Sequence, residues 1–451
     1  MELSHALIIG VALYAAAILA AGLLGVRRNE SFRDFVTAGA KAGPWLCAFS
    51  LVSTIIGSSA TIGIGKLALD KGAGAFWWIG VGVVGLFLHG LWVAPRIRAM
   101  KALTLPHVVE MLAGRGAAKL SSLIIVVSWI AIVAAQFVAL KAVLTSLAPE
   151  YGAVLYAVSV AVILFHTVLS GQRGVLYTDF LQTILLIGGF GAAFAWVLVN
   201  EPARVAAVDW IPFNSRFGFG DWLQLLLLVG FAYVVGPDMF SRTLAAKNEK
   251  TARRASWIAS PMLFLFGIVI TLLALTNLSA ASPVADWLSE ASPLSTALKA
   301  VLAIGLVSAL SGSVDTVLFS SGAILEHTLI GRSNVLRLRF LLAAIGLLGV
   351  FMAEAYSNII GLLISAYAFF IPGVAVPLFV VLMSGRTIAP KAWFAASIAG
   401  GLLGLAKFWA PAPWNGWTPL IGMAVSGLIA WGAIALSRRD GDDSDTFVLG
   451  S

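Results

Sequence analysis

Thirteen apolar runs, each close to the roughly 20 residues that a helix needs to cross a bilayer core, leave this chain little choice of fold. They lie at about 3–25, 44–68, 76–94, 120–146, 153–171, 175–198, 222–242, 257–277, 300–328, 338–354, 358–384, 393–409 and 418–437, with short polar loops between them. Of the 451 residues, 60% are hydrophobic and 11% charged, and the mean hydropathy is +0.97, which excludes an ordinary soluble domain. The expected fold class is an all-α polytopic membrane protein of about 13 transmembrane helices, multi-pass in a plasma membrane such as the bacterial inner membrane, with the lipid bilayer as its solvent.

A net charge of +8 raises the question of a nucleic-acid partner, and the placement of that charge answers it. With the N-terminus outside and the C-terminus inside, the loops facing the cytoplasm hold 22 of the 29 Lys and Arg residues, from Arg27 and Lys41 through Arg96, Lys119, Arg173, Lys247 and Arg339 to Arg439. That is the positive-inside bias, so the charge sets orientation and no nucleic-acid partner is expected. The first run has no basic n-region and reads as a retained helix rather than a signal peptide. Cys47 is the single cysteine, which rules out an intrachain disulfide. The tail after the last run, RRDGDDSDTFVLGS, is short and acidic.

Several suggestive patterns carry nothing. Gly80, Gly82 and Gly85 spell GxGxxG, but inside the apolar run WWIGVGVVGLFLHG they serve close helix packing rather than a dinucleotide. No GxxxxGK[ST] loop occurs, so nucleotide-driven pumping is not expected. His89 and His166, each well inside a predicted helix or run, read as packing residues. Trp77, Trp78, Trp210, Trp222, Trp409, Trp414 and Trp417 fall near predicted outer ends, where Trp anchors a helix at the interface. No nucleophile, base and orienting group converge near either face, so the chain is not expected to be an enzyme.

Two runs are built to break. SLVSTIIGSSATIGIGK, residues 50 to 66, gathers glycines, β-branched residues and hydroxyls in mid-span, and FAYVVGPDMFSR, residues 231 to 242, places Gly236, Pro237 and Asp238 where an unbroken ladder would run. Interruptions at membrane depth survive where the freed backbone lines a cavity or meets polar partners. Five runs separate the starts of the two segments, so they cross in opposite directions, as the first helices of two inverted repeats do. A third run, VSALSGSVDTVLFSS, carries Ala309, Ser313, Thr316 and Ser320 on one face and Ser308, Ser311, Gly312 and Asp315 on another. The hydroxyl face suits a hard cation such as sodium. An ionised Asp315 costs about 2.5–3.5 kcal/mol at mid-membrane on insertion scales and needs its own partner or water.

Four motifs then resemble one family, the sodium:solute symporters. FVTAGAKAGPWLCAFSLVST is similar to the family's lead into core helix one, GQRGVLYTDFLQ to its loop into core helix five, PDMFSRTLAAKNEKTARRA to the end of core helix six with its basic loop, and LSGSVDTVLFSSGAIL to core helix eight. The resemblance implies a leucine-transporter-like core of two inverted five-helix repeats and sodium-coupled import of a small-molecule substrate by alternating access. The corresponding divisions are 1–43 for an extra N-terminal helix and loop, 44–198 for repeat one, 199–385 for repeat two and 386–451 for two peripheral helices and the tail. The implied sodium ligands are the carbonyls of Ser53, Ile56 and Ala309 and the hydroxyl of Ser313. The family has a second hydroxyl where this chain has Gly312, so weakened sodium binding, proton coupling, or a transporter-like sensor stay open. Asp179 matches a family aspartate on the ion pathway, with Asp315 as a further candidate there.

The substrate is less legible. The position of an aspartate in proline-type members is Ile55, and positions that sugar carriers keep polar are small or apolar, as at Ala60 and Val229, which argues against a sugar site. Thr54, Ser58, Ser59, Gln136, Tyr233 and Asp238 are the candidate substrate residues, with Tyr367 and Phe370 nearby. Asp238 and Arg242, four apart, are expected to pair at the inner mouth. Unwound backbone N–H groups in core helix one would suit a carboxylate, pointing to an amino acid or organic acid.

Overall fold

A computed structural model describes residues 3–26, 31–278, 284–289 and 291–439. The acidic tail, Arg27 and Arg28 lie outside these. The principal helices in chain order are α1 (Leu3–Val26), α2 (Pro44–Ile55), α3 (Ile62–Lys71), α4 (Trp77–Leu88), α5 (Leu105–Leu147), α6 (Gly152–Asn200), α7 (Phe219–Leu225), α8 (Pro237–Ala245), α9 (Glu249–Leu275), α10 (Thr296–Ile324), α11 (Val335–Ala355), α12 (Ile359–Phe370), α13 (Pro390–Leu405) and α14 (Trp414–Arg439), with shorter α-helices, among them Val376–Ser384, and short 3-10 and π stretches between. Among the described residues nine helical stretches are long and apolar enough to cross a bilayer, and α1 and α2 add shorter apolar segments. The expected runs fall largely on helical stretches, those at 44–68 and 222–242 being interrupted. The 49 residues of α6 hold two of them, separated by a break in the helix at Gly171, whose φ of 63° is open to glycine at little cost.

The two expected breaks are present. Pro44 opens α2 at a position where a missing N–H costs nothing. Past Ile55 the backbone leaves the helix, with Ile56 at φ −85°, ψ 85°, and resumes at Ile62. The second break follows Val234: Val235 and Gly236 are non-helical, and Pro237 begins α8. Elsewhere helices start on side-chain caps, Asn248 for α9, Ser295 for α10, Asn334 for α11 and Asn358 for α12, each accepting a backbone N–H.

Helix α10 is the buried axis of the molecule. Every residue from Leu302 to Ile324 except Ile304 is buried, against α6, α5 and α1. Helix α11 by contrast turns Leu336, Phe340, Leu347 and Phe351 outward, as a lipid-facing helix does. At one end of the bundle the basic loops interlock: Arg98 donates to the carbonyl of Ala246 and Arg33 to that of Lys101. At the opposite end Arg216 donates to the Leu69 carbonyl and Asn214 to that of Lys71.

Candidate functional site

The site forms where the α2–α3 break meets α10. Ser313 reaches across from α10 and donates its hydroxyl to the carbonyl of Thr54 at 2.9 Å, with the carbonyl of Ser53 at 3.4 Å. A hydroxyl that donates once keeps lone pairs for a cation. Ile56 and Ala309 are both buried. The approach is possible because residue 57 is glycine: a Cβ there would lie 2.4 Å from the Ser313 hydroxyl oxygen and 2.6 Å from the Gln136 amide oxygen.

Gly312 lies beside a hydroxyl that belongs to another residue. A Cβ at 312 would stand 2.1 Å from Ser53 Oγ and 2.7 Å from Gln182 Oε1. The space that a side chain at 312 would need is thus already filled by the Ser53 hydroxyl, which donates to Gln182 at 3.3 Å, while the Gln182 amide donates to Tyr14 of α1 at 3.0 Å. Ser311 takes no part in this exchange, since it bonds back to Val307 on its own helix at 2.8 Å.

Below this point lies a buried ion pair that differs from the sequence expectation. Arg242, fully buried, does not pair with Asp238. Its guanidinium meets Asp179 at 2.7 Å, Ser50 at 2.8 Å and Ser241 at 2.8 Å, and also Thr316. Ser50 in turn donates to Asp179, and Thr316 shares a 3.0 Å hydrogen bond with Thr54. The i,i+4 rule fails because α8 turns Arg242 inward between α2, α6 and α10, where a carboxylate and three hydroxyls satisfy a planar five-donor group. Asp238 instead accepts from the indole of Trp129 at 2.8 Å.

The remaining candidates fall into two groups. Gln136 accepts the backbone N–H of Ser58 at 2.7 Å, so α5 is tied to the unwound segment. Thr54, Ser58, Ser59 and Tyr233 are buried around the two breaks, and Trp129 packs edge-on to Phe370, centroids 4.8 Å apart. Asp315 points away from Ser313 into a separate cluster: Thr167 donates to it, and His166 Nδ1 stands 3.4 Å from its other oxygen. Neither ring nitrogen of His166 makes a hydrogen bond, so the packing reading stands. His89 does read as a packing residue, bonded to the Val234 carbonyl and to Thr243 at 2.8 Å each.

Paired broken helices, oxygen donors facing one another across the gap, and a buried ion pair beside them are the features of a polytopic membrane carrier. A family model described as the sodium:solute symporter family matches residues 35–325, well over half of the chain, and the chain belongs to that family. A sodium/proline symporter of Staphylococcus aureus (strain bovine RF122 / ET3-1) is 23% identical over 301 residues, 58% of this chain and 55% of that protein. The match thus spans about half of the length of that curated relative. Among solved structures, a Na+-coupled sialic acid symporter in a substrate-bound outward-open state aligns with a TM-score of 0.77 at 13% identity, covering 96% of this chain and 98% of the other. Mhp1, a nucleobase-cation-symport-1 family transporter, aligns at 0.62 and 13% identity, over 92% and 95%. MhsT, solved with L-phenylalanine, aligns at 0.59 and 12% identity, over 89% and 99%. The fold is therefore the leucine-transporter-like one, and the family is one of transporters rather than enzymes.

Proposed function

We propose that this protein is a sodium-coupled importer of a small organic solute, an amino acid or organic acid, with sodium held between the α2–α3 break and α10. The observation that carries this is the Ser53 hydroxyl in the space next to Gly312. The carbonyls of Ser53, Ile56 and Ala309 and the hydroxyls of Ser313 and Ser53 then give five oxygens, all from a chain that lacks the family's hydroxyl at 312. Such oxygen-only sets suit hard cations. The loss at 312 is thereby offset, and weak coupling or a pure sensor role is the poorer reading.

The rest of the mechanism follows from the same residues. In this reading thirteen crossings put the termini on opposite faces, the positive-inside bias turns the basic loops inward and the N-terminus outward, and the repeats run over 44–198 and 199–385. The Asp179–Arg242 pair, bonded to Ser50 and Thr316, ties α2, α6, α8 and α10 together on the inner side of the sodium ligands. It must rearrange before an ion can leave inward. Sodium bound next to Thr54 and Ser313 stiffens the break and favours the shape that accepts solute near Ser58, Ser59, Gln136, Tyr233 and Asp238.

Proteoliposomes with an inward sodium gradient and no ATP, offered a panel of labelled amino acids and organic acids, test this reading. One panel member should accumulate under sodium and fail to do so under an equal potassium gradient. Equal accumulation under both cations would exclude sodium coupling.

A further inference from the structure

At the end of the bundle where Arg216 meets Leu69, the outer end in the proposed orientation, lies a cavity of about 280 Å³ that the sodium site does not explain. It sits near the small end of small-molecule sites, roughly 300–1,000 Å³. Its walls are mostly apolar, from Leu67, Leu228, Ile360 and Ile364, and two cations reach it, Lys71 and Lys407. One carboxylate, Asp221, lines it as well. That carboxylate is already engaged: it stands 3.8 Å from Lys71 and accepts the N–H of Gly218 at 2.9 Å, closing the first turn of α7. Lys407 is half-buried with its ammonium over the Phe408 ring at 5.8 Å, and among the described residues no carboxylate pairs with it.

A second group in the wall lacks a partner. Trp78 lines the cavity, is 3% exposed, and its indole N–H meets no acceptor in the protein. Buried indole N–H groups normally find one. Thus a desolvated donor and an unpaired cation border one apolar space, with the local carboxylate used elsewhere. The net charge of the lining is positive, so a zwitterion or an amine gains less here than an anion does.

We propose that this cavity is an outer binding site for a small organic monocarboxylate with an apolar body, its carboxylate held by Lys407 with the Trp78 N–H as a further donor. The site would collect the anion before it reaches the central residues, and only that role rests on the import reading; binding itself does not. This selects carboxylic acids over amino acids among the solutes considered above.

Labelled phenylacetate is the probe, bound to the purified full chain at fixed sodium, with unlabelled phenylacetamide and phenethylamine as competitors. Binding should be saturable, and both competitors should be at least about tenfold weaker, the low end for losing a hydrogen bond to a charged group. Lys407→Gln should weaken phenylacetate by about tenfold and Lys407→Arg by much less, while sodium-dependent thermal stabilisation stays unchanged in both. Phenylacetamide competing as well as phenylacetate, undiminished affinity in Lys407→Gln, or no phenylacetate binding at all overturns the proposal. Should Lys407→Gln not fold, the acid and amide comparison on the unmodified chain decides. Absence of sodium stabilisation with phenylacetate binding intact would sink the sodium reading and leave this site standing.

Discussion

Replacing Gly312 by Ser restores the hydroxyl that the family carries, yet the geometry says that it harms this protein. The new Cβ would stand 2.1 Å from Ser53 Oγ, where ordinary contact is 3.4–4 Å, so one of the two must move by more than an ångström. Overpacking of a tight interior costs about 1–3 kcal/mol. If the strain is relieved by pushing Ser53 off the sodium ligands, affinity for sodium falls about 5- to 150-fold, at 1.4 kcal/mol per tenfold. The second contact, with Gln182 Oε1 at 2.7 Å, is the end of a flexible side chain and yields more readily. Ser53→Ala alone removes one hydroxyl and keeps the carbonyl, so it weakens sodium without strain. Ser53→Ala combined with Gly312→Ser exchanges the hydroxyl between helices, and the pair should recover most of the sodium affinity that each single change loses. Sodium-dependent thermal shift on the four proteins gives the coupling energy directly. Additive losses in the double variant, or tighter sodium binding in Gly312→Ser alone, would refute the claim that these two positions share one space.

Gly57→Ala should be as damaging as Ser313→Ala in sodium-dependent stabilisation, because its Cβ would press on Ser313 and Gln136 together; intact stabilisation would show that the break opens freely. Asp179→Asn leaves the Arg242 charge buried without its counter-ion and should cost up to about 3–5 kcal/mol in unfolding free energy, with Arg242→Gln in the same protein recovering part of that loss. Trp129→Phe deprives Asp238 of its donor and should change solute affinity in uptake assays while sodium stabilisation holds; a parallel loss of both would place Trp129 in the sodium site instead.

How much of this was legible in the sequence depends on the range of the cause. The two breaks were readable because glycine, proline and clustered hydroxyls act on their own backbone. The apolar helices were readable because length and apolarity are local, and even the break within α6 appears as two runs around Gly171. The ion pair was misread because Arg242 has an acidic neighbour four residues away, whereas its true partner lies 63 residues away on α6. No spacing rule connects Asp179 with Arg242; only the packing of four helices does. Gly312 reads as a missing ligand for the same reason: in the proposed site the replacement comes from α2, and the exchange exists only as a distance between helices. Trp78 reads in sequence as an interface anchor like Trp409 and Trp414, but the latter are 80% and 60% exposed while Trp78 is buried against a cavity.

Direct binding of radiolabelled sodium to the purified protein, with choline holding ionic strength constant, tests the central claim. Saturable binding that is displaced by sodium but not by potassium, abolished in Ser313→Ala and weakened in Ser53→Ala, is the expected result. Binding that ignores both substitutions, or no sodium binding in the unmodified chain, would contradict it.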